Sequence, residues 1–127
     1  MEKRTIKSFT DLIAWREGHN LVLEVFKEIR KFPREGYSLK DQMGRCSISI
    51  TSNIAEGFSR KSRKEKVQFY YMSLGSTTEL QNQLLIGRDL GYIERENFNI
   101  LADKTVVVHK LINGLIKSAD NIKILNT

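Results

Sequence analysis

Chemistry in this sequence would have to come from a short list of side chains. His19 and His109 stand 90 residues apart, and Cys46 is the only thiol. A zinc or di-iron site needs about four ligands at helical spacing, and the sequence offers no HxxxH or ExxH pair. Both histidines are therefore expected to pack or to sit at the rim of a helix. Glu56 and Glu79 could serve as paired carboxylates, but nothing near either in sequence raises a pKa or supplies a nucleophile. Structural hydrogen bonding is the expectation for both. Phosphate-cradling glycine loops and nucleophile elbows are absent. The chain reads as a non-enzyme with no cofactor and no metal.

One cluster remains. Arg60, Lys61, Arg63, Lys64 and Lys66 put five cations into seven residues, and phosphate binding without sequence selectivity needs little more than clustered Lys and Arg. Neighbouring Phe58, Phe69 and Tyr70 could stack on bases. The plainer reading is a solvated corner between two helices, with those aromatics in the core. The wider charge distribution leans the same way as the cluster. Residues 1–66 hold 15 Lys and Arg against 9 Asp and Glu, residues 67–127 hold six of each, and the whole of the +6 excess lies in the first half. Such asymmetry points to an anionic partner or to solvated faces.

The elements that position these residues follow from composition and periodicity. A chain of 127 residues, 40% apolar and 28% charged, is one ordinary domain with enough apolar surface for a core. One proline and eight glycines leave little room for an all-β fold full of tight turns. A single cysteine and no signal peptide suggest the reducing cytoplasm. No apolar run approaches the roughly 20 residues that span a bilayer, so no membrane partner is expected.

Four helices are expected, at about 9–32, 39–60, 63–90 and 94–125, forming a single all-α domain over 1–127. Ser8, with Asp11 at the third position, caps the first. Its seam is Leu12, Trp15, His19, Val22, Phe26 and Ile29, and Phe32-Pro33 ends it. Ser38 is the expected cap of the second, whose apolar side carries Leu39, Met43, Ile50 and Ile54. Ser47, Ser49, Ser52, Ala55 and Gly57 make this helix lean, so that neighbours can approach its backbone, and Ala55 and Gly57 are expected at a close crossing. Asn53 lies near the same face, either tied to a neighbouring helix or at the rim. Glu56 and Arg60 are spaced for an ion pair. Ser62 and Glu65 form a capping box for the third helix, which Gly91 stops. The fourth has the seam Phe98, Leu101, Thr105, Val108, Ile112, Leu115, Ala119 and Ile122.

Short turns between long amphipathic helices make an up-down-up-down antiparallel four-helix bundle. Some apolar residues fit no single seam. Leu84, Leu85 and Ile86 are consecutive, as are Val106, Val107 and Val108, and three such residues sweep about 200° of a helix. Tyr70-Tyr71 and Leu115-Ile116 widen the same arcs. A second buried surface, between copies of the chain, is expected on helices 3 and 4.

The residues also carry a family resemblance. Phe9, Asp11, Leu12 and Trp15 near the start are followed by Ser52-Asn53-Ile54-Ala55-Glu56-Gly57, ahead of the basic turn and Ser62. Leu74-Gly75-Ser76 with Glu79-Leu80, and Leu90-Gly91-Tyr92-Ile93, complete the pattern. Together they resemble the four-helix-bundle proteins encoded in intervening sequences of bacterial 23S rRNA genes, over nearly the whole chain. The resemblance implies a homopentamer, with Trp15, the 52–57 string and Glu79 as structural motif residues. Relatives of that family include the accessory variability protein of diversity-generating retroelements, a basic pentamer that binds nucleic acid and a reverse transcriptase. RNA, DNA or a ribonucleoprotein or reverse-transcriptase partner is thereby implied as a candidate. Thr51 departs from the pattern, which often has a helix-kinking proline there. The resulting expectation is a non-enzymatic assembly module engaging RNA or a ribonucleoprotein partner through its basic first half, the alternative being a scaffold or protein-partner module whose basic turn is only solvated.

Overall fold

The computed structural model describes residues 5–125, with side chains through Ala119. Four α-helices, α1 (Ile13–Ile29), α2 (Tyr37–Ser59), α3 (Arg63–Asp89) and α4 (Arg95–Leu125), account for most of them, and no strand occurs among the described residues. Each helix packs on its two neighbours in cyclic order, α1 on α2 and α4, and α3 on α2 and α4. With short connections this is the expected up-down-up-down bundle. Leu21, Val25, Met43, Ile50, Ile54, Leu80, Leu84, Val108 and Ile112 form its solvent-excluded centre. The basic N-terminal lead up to Arg4 and the side chain of Ile122 lie outside the described residues.

The chain enters through a 3-10 turn, Phe9–Asp11. Ser8 Oγ accepts the Thr10 N–H, and the Asp11 carboxylate accepts the N–H groups of Lys7 and Ser8. The capping residues are those expected, but they cap this turn rather than α1, because Leu12 is extended (φ −73°, ψ 131°) and α1 starts only at Ile13. The seam of α1 also differs. Ala14, Gly18, Leu21, Val25 and Ile29 are buried, whereas Trp15, Val22 and Phe26 are half-buried and His19 is exposed. The stripe at 12, 15, 19, 22 and 26 is one residue, about 100°, round from the core. Its apolar residues cover α1's flank, and Ala14 and Gly18, too small to stand out in the pattern, mark the true inner face.

A 3-10 turn at Arg34–Gly36 leads straight into α2, so Gly36 occupies the cap position and Ser38 lies inside the first turn. From there α2 runs unbroken through Thr51. Its lean composition serves α3. Ser73 Oγ donates to the Ile50 carbonyl at 2.7 Å, Cys46 Sγ donates to the Ser76 carbonyl at 3.0 Å, and the hydroxyls of Ser49 and Ser76 are 2.9 Å apart. At Gly57 a Cβ would lie 2.7 Å from Tyr70 Cε1 and 3.1 Å from Phe69 Cβ, so only glycine lets α3 cross there. Ala55, about 200° round the helix, is half-buried.

Gly91 ends α3 as expected, at φ +80°. Its N–H bonds to the Arg88 carbonyl and that of Tyr92 to the Gly87 carbonyl, the paired bonds of a Schellman cap. On α4 the buried positions are Leu101, Thr105, Val108, Ile112, Ile116 and Ala119. Phe98 and Leu115 flank them.

Candidate nucleic-acid interface

The basic corner joins α2 to α3. Arg60 is the extended C-cap of α2, and Ser62 caps α3 by accepting the Glu65 N–H at 3.1 Å. Of the expected capping box, this arm alone forms. Two of the five cations hold the corner together. Arg60 Nη2 lies 3.2 Å from Glu56 Oε2, and its guanidinium sits 4.8 Å over the Phe69 ring. Lys66 Nζ donates to the carbonyls of Phe58, at 2.7 Å, and Gly57, at 3.4 Å, closing the C-terminus of α2 against its own dipole. Burial lowers the pKa of this amine. Lys61 and Lys64 are exposed and make no hydrogen bond or ion pair among the described residues, and Arg63 is half-buried.

The aromatics follow the plainer reading. Tyr70 is 4% exposed and fills the space at Gly57. Phe58 and Phe69 are half-buried, beneath Lys66 and Arg60 respectively.

The motif residues are structural in their contacts. Trp15 stacks on His19, with ring centroids 4.7 Å apart, and meets Phe9 edge-on at 5.4 Å. Asn53 Nδ2 donates to the carbonyl and hydroxyl of Ser49, one turn back, from a half-buried position. Ile54 is fully buried and Ser52 is exposed. Glu56 pairs with Arg60 at the end of α2, while Glu79 accepts from Gln83 and lines a groove with Gln42, Arg45, Cys46, Ser49 and Ser76. Arg45 and Glu56 are 11 residues apart on α2, roughly 16 Å, so the two carboxylates do not share a site. His109 approaches Asn113 at 3.3 Å on α4 and lines a groove with Gln81, Val106 and Lys110, whereas His19 stacks on Trp15 of α1. Among the described residues, no three His, Cys, Asp or Glu side chains are grouped to hold a metal ion.

Cys46 is 6% exposed. Burial, with the neighbouring Glu79 charge second, pushes its thiol up to about 12. It is a protonated hydrogen-bond donor, with no thiolate for nucleophilic work.

Two apolar surfaces lie away from the basic corner, the first of them absent from the sequence-based expectations. An apolar groove of about 230 Å³ runs between α1 and α2, floored by Phe26, Ile29 and Gly44 and edged by Tyr37 and Ile48. Its signal was available: Tyr37 and Ile48 fall off the α2 seam. The second surface was expected. Tyr71, Met72, Leu85, Ile86, Val106 and Val107 are each 40–58% exposed on the outer sides of α3 and α4. Their neighbours Tyr70, Leu84 and Val108 are in the core.

Fold and corner together define an all-α bundle protein built of packing and capping contacts, with a cationic turn at one end. The sequence matches the family model of the 23S rRNA-intervening sequence protein over residues 10–114, and the chain belongs to that family. A similar solved structure is a protein of unknown function from the S23 ribosomal protein family of Bacteroides thetaiotaomicron. It is 20% identical, with a TM-score of 0.77, and the match covers 83% of this chain and 96% of that one. The likeness shows the same fold. No curated protein matches the chain. No described helix is long and apolar enough to cross a membrane.

Proposed function

We propose that this protein is a non-catalytic module that assembles with copies of itself. The observation that carries this reading is the outer apolar surface of α3 and α4, where large side chains alternate with core positions and stay half-exposed in the single chain. Monomers rarely leave contiguous apolar surface of this kind uncovered. A closed ring covers it in every copy, and five copies is the number the family resemblance implies. Light scattering at micromolar concentration should return a multiple of 14.7 kDa. A mass of one chain would reject the proposal.

A second reading, RNA binding, is favoured by the exposed and unpartnered Lys61 and Lys64. In a ring these side chains repeat with the symmetry of the assembly, and weak phosphate contacts add through multivalency. Affinity for structured RNA should fall steeply with salt. Replacing Lys61 and Lys64 by Gln should reduce both affinity and salt slope, with helicity and mass unchanged. Electrophoretic shifts at two salt concentrations read this directly. No shift at about 50 mM salt, or an unchanged slope in the variant, would leave the corner as solvated surface and the protein as a scaffold.

A further inference from the structure

The apolar groove between α1 and α2 and the outer face of α3 are complementary in chemistry. The groove has an apolar floor, and the cations at its edge, Arg30, Lys40 and Arg45, are balanced only by Asp41, which pairs with Arg45 at 3.1 Å. Arg30 and Lys40 have no ion-pair partner among the described residues. The α3 face is the reverse. From Val67 to Gly87 the sequence contains no lysine or arginine, although the chain has 21 of them. Its exposed side carries Tyr71, Met72, Leu85, Ile86 and Leu90 around the carboxylate of Glu79.

The placement of the two surfaces also matches. The two surfaces flank α2, the groove on its α1 side and the α3 face on its α3 side, with Arg45 between them. They stand at the same height along it. Leu39 Cδ2 is 3.7 Å from where a Cβ on Gly87 would lie, and Glu79 shares a groove with Gln42 and Arg45. The stretch of α2 from Tyr37 to Ile48 is therefore level with the C-terminal half of α3. A contact between two different patches of this kind is heterologous, and it forms a ring where the rotation between copies closes.

We propose that the α1–α2 groove of one copy receives the outer face of α3 of the next, a head-to-tail contact in which Ile86 and Leu90, one turn apart, enter the apolar floor and Glu79 meets Arg30 or Lys40. This rests on the self-assembly proposed above and assigns it two distinct surfaces. The contact uses like-sign avoidance as well as attraction, since a cation anywhere on the α3 face would oppose the groove.

The test uses variants at exposed positions, checked for helicity by circular dichroism. Ile48→Lys spoils the groove and leaves the α3 face intact. Ile86→Lys spoils the face and leaves the groove intact, and Leu90→Lys serves as a second face variant. Each alone should run as a single chain of 14.7 kDa. Mixed in equal amounts, a groove variant and a face variant should form a one-to-one pair and nothing larger, because each retains the half that the other lost. Wild type as a monomer would overturn the self-assembly reading and this contact with it. A wild-type oligomer whose folded variants still assemble fully would overturn this contact alone. So would folded variants that remain single chains when mixed, or a folded Ile48→Lys that still assembles by itself, the result expected if α3 packs against α3 or if the groove takes an acidic segment of another protein.

Discussion

The two flanks of α2 are built on opposite plans. Toward α3 it presents Cys46, Ser49, Asn53 and Gly57, all small or polar. Serine and cysteine side chains bridge this seam directly, and Tyr70 closes over the glycine. Toward α1 it presents Tyr37, Gly44 and Ile48, and there a groove of about 230 Å³ stays open with Ile48 47% exposed. Small side chains let backbones approach until hydrogen bonds form across the seam. On the other flank, large side chains that no neighbour in the chain covers leave apolar surface open. One helix thus closes against α3 along one edge and stays open along the other.

This contrast can be broken most forcefully at Gly57. Gly57→Val would drive side-chain atoms into Tyr70 and Phe69 and should cost about 1–3 kcal/mol, read as a lower urea midpoint at unchanged slope. A stability equal to wild type would mean that the closed flank is not closed.

Cys46 reports the same seam by titration. In the unfolded chain the thiol ionises near 9.0, and in the folded protein only at about 12. Between those values the folded state holds the extra proton. The stability this contributes is fully present below 9.0 and is lost as pH rises toward 12. Cys46→Ser should remove that component from the pH profile. At pH 8 the native thiol should react with iodoacetamide far more slowly than in urea; equal rates would place it outside the seam.

Smaller effects distinguish the flanks further. Ser73→Ala removes the bond to the Ile50 carbonyl and should cost about 1 kcal/mol by thermal melting. Ile48→Ser on the open flank should change the stability of the single chain by less than about 0.5 kcal/mol under dilute conditions. If the two substitutions proved equal, the flanks would be energetically alike.

The bundle was legible because its signals are local. The Ser62 cap, the Gly91 stop and the three-four spacing of α4 from Leu101 to Ile112 each act within a few residues and appear where expected, whereas Ser8 and Asp11 cap the 3-10 turn ahead of α1. The inner face of α1 was misread because Ala14 and Gly18 weigh little in an apolar pattern, while Trp15 and Phe26 dominate it from the flank. The five cations of the corner looked equivalent in sequence. Only the fold separates Arg60 and Lys66, bound to Glu56 and to the end of α2, from Lys61 and Lys64. Tyr37 and Ile48 fall off the α2 seam and so mark the groove's edge, but its depth depends on what α1 and α2 leave unfilled, which no spacing rule encodes. The apolar excess on α3 was legible, being a matter of which residues a single seam cannot hold.

Whether the open flank of α2 meets α3 of the next copy is tested most directly by linking the two surfaces. In a Cys46→Ser background, Ile48→Cys and Ile86→Cys would be joined by a flexible bismaleimide at micromolar protein concentration. The account predicts a ladder of covalent multimers on a denaturing gel, its highest rung giving the number of copies in the ring. Each single-cysteine control should remain without a ladder. Recovery of the doubly substituted protein as single chains alone, from a preparation that scatters light as an oligomer, would contradict it.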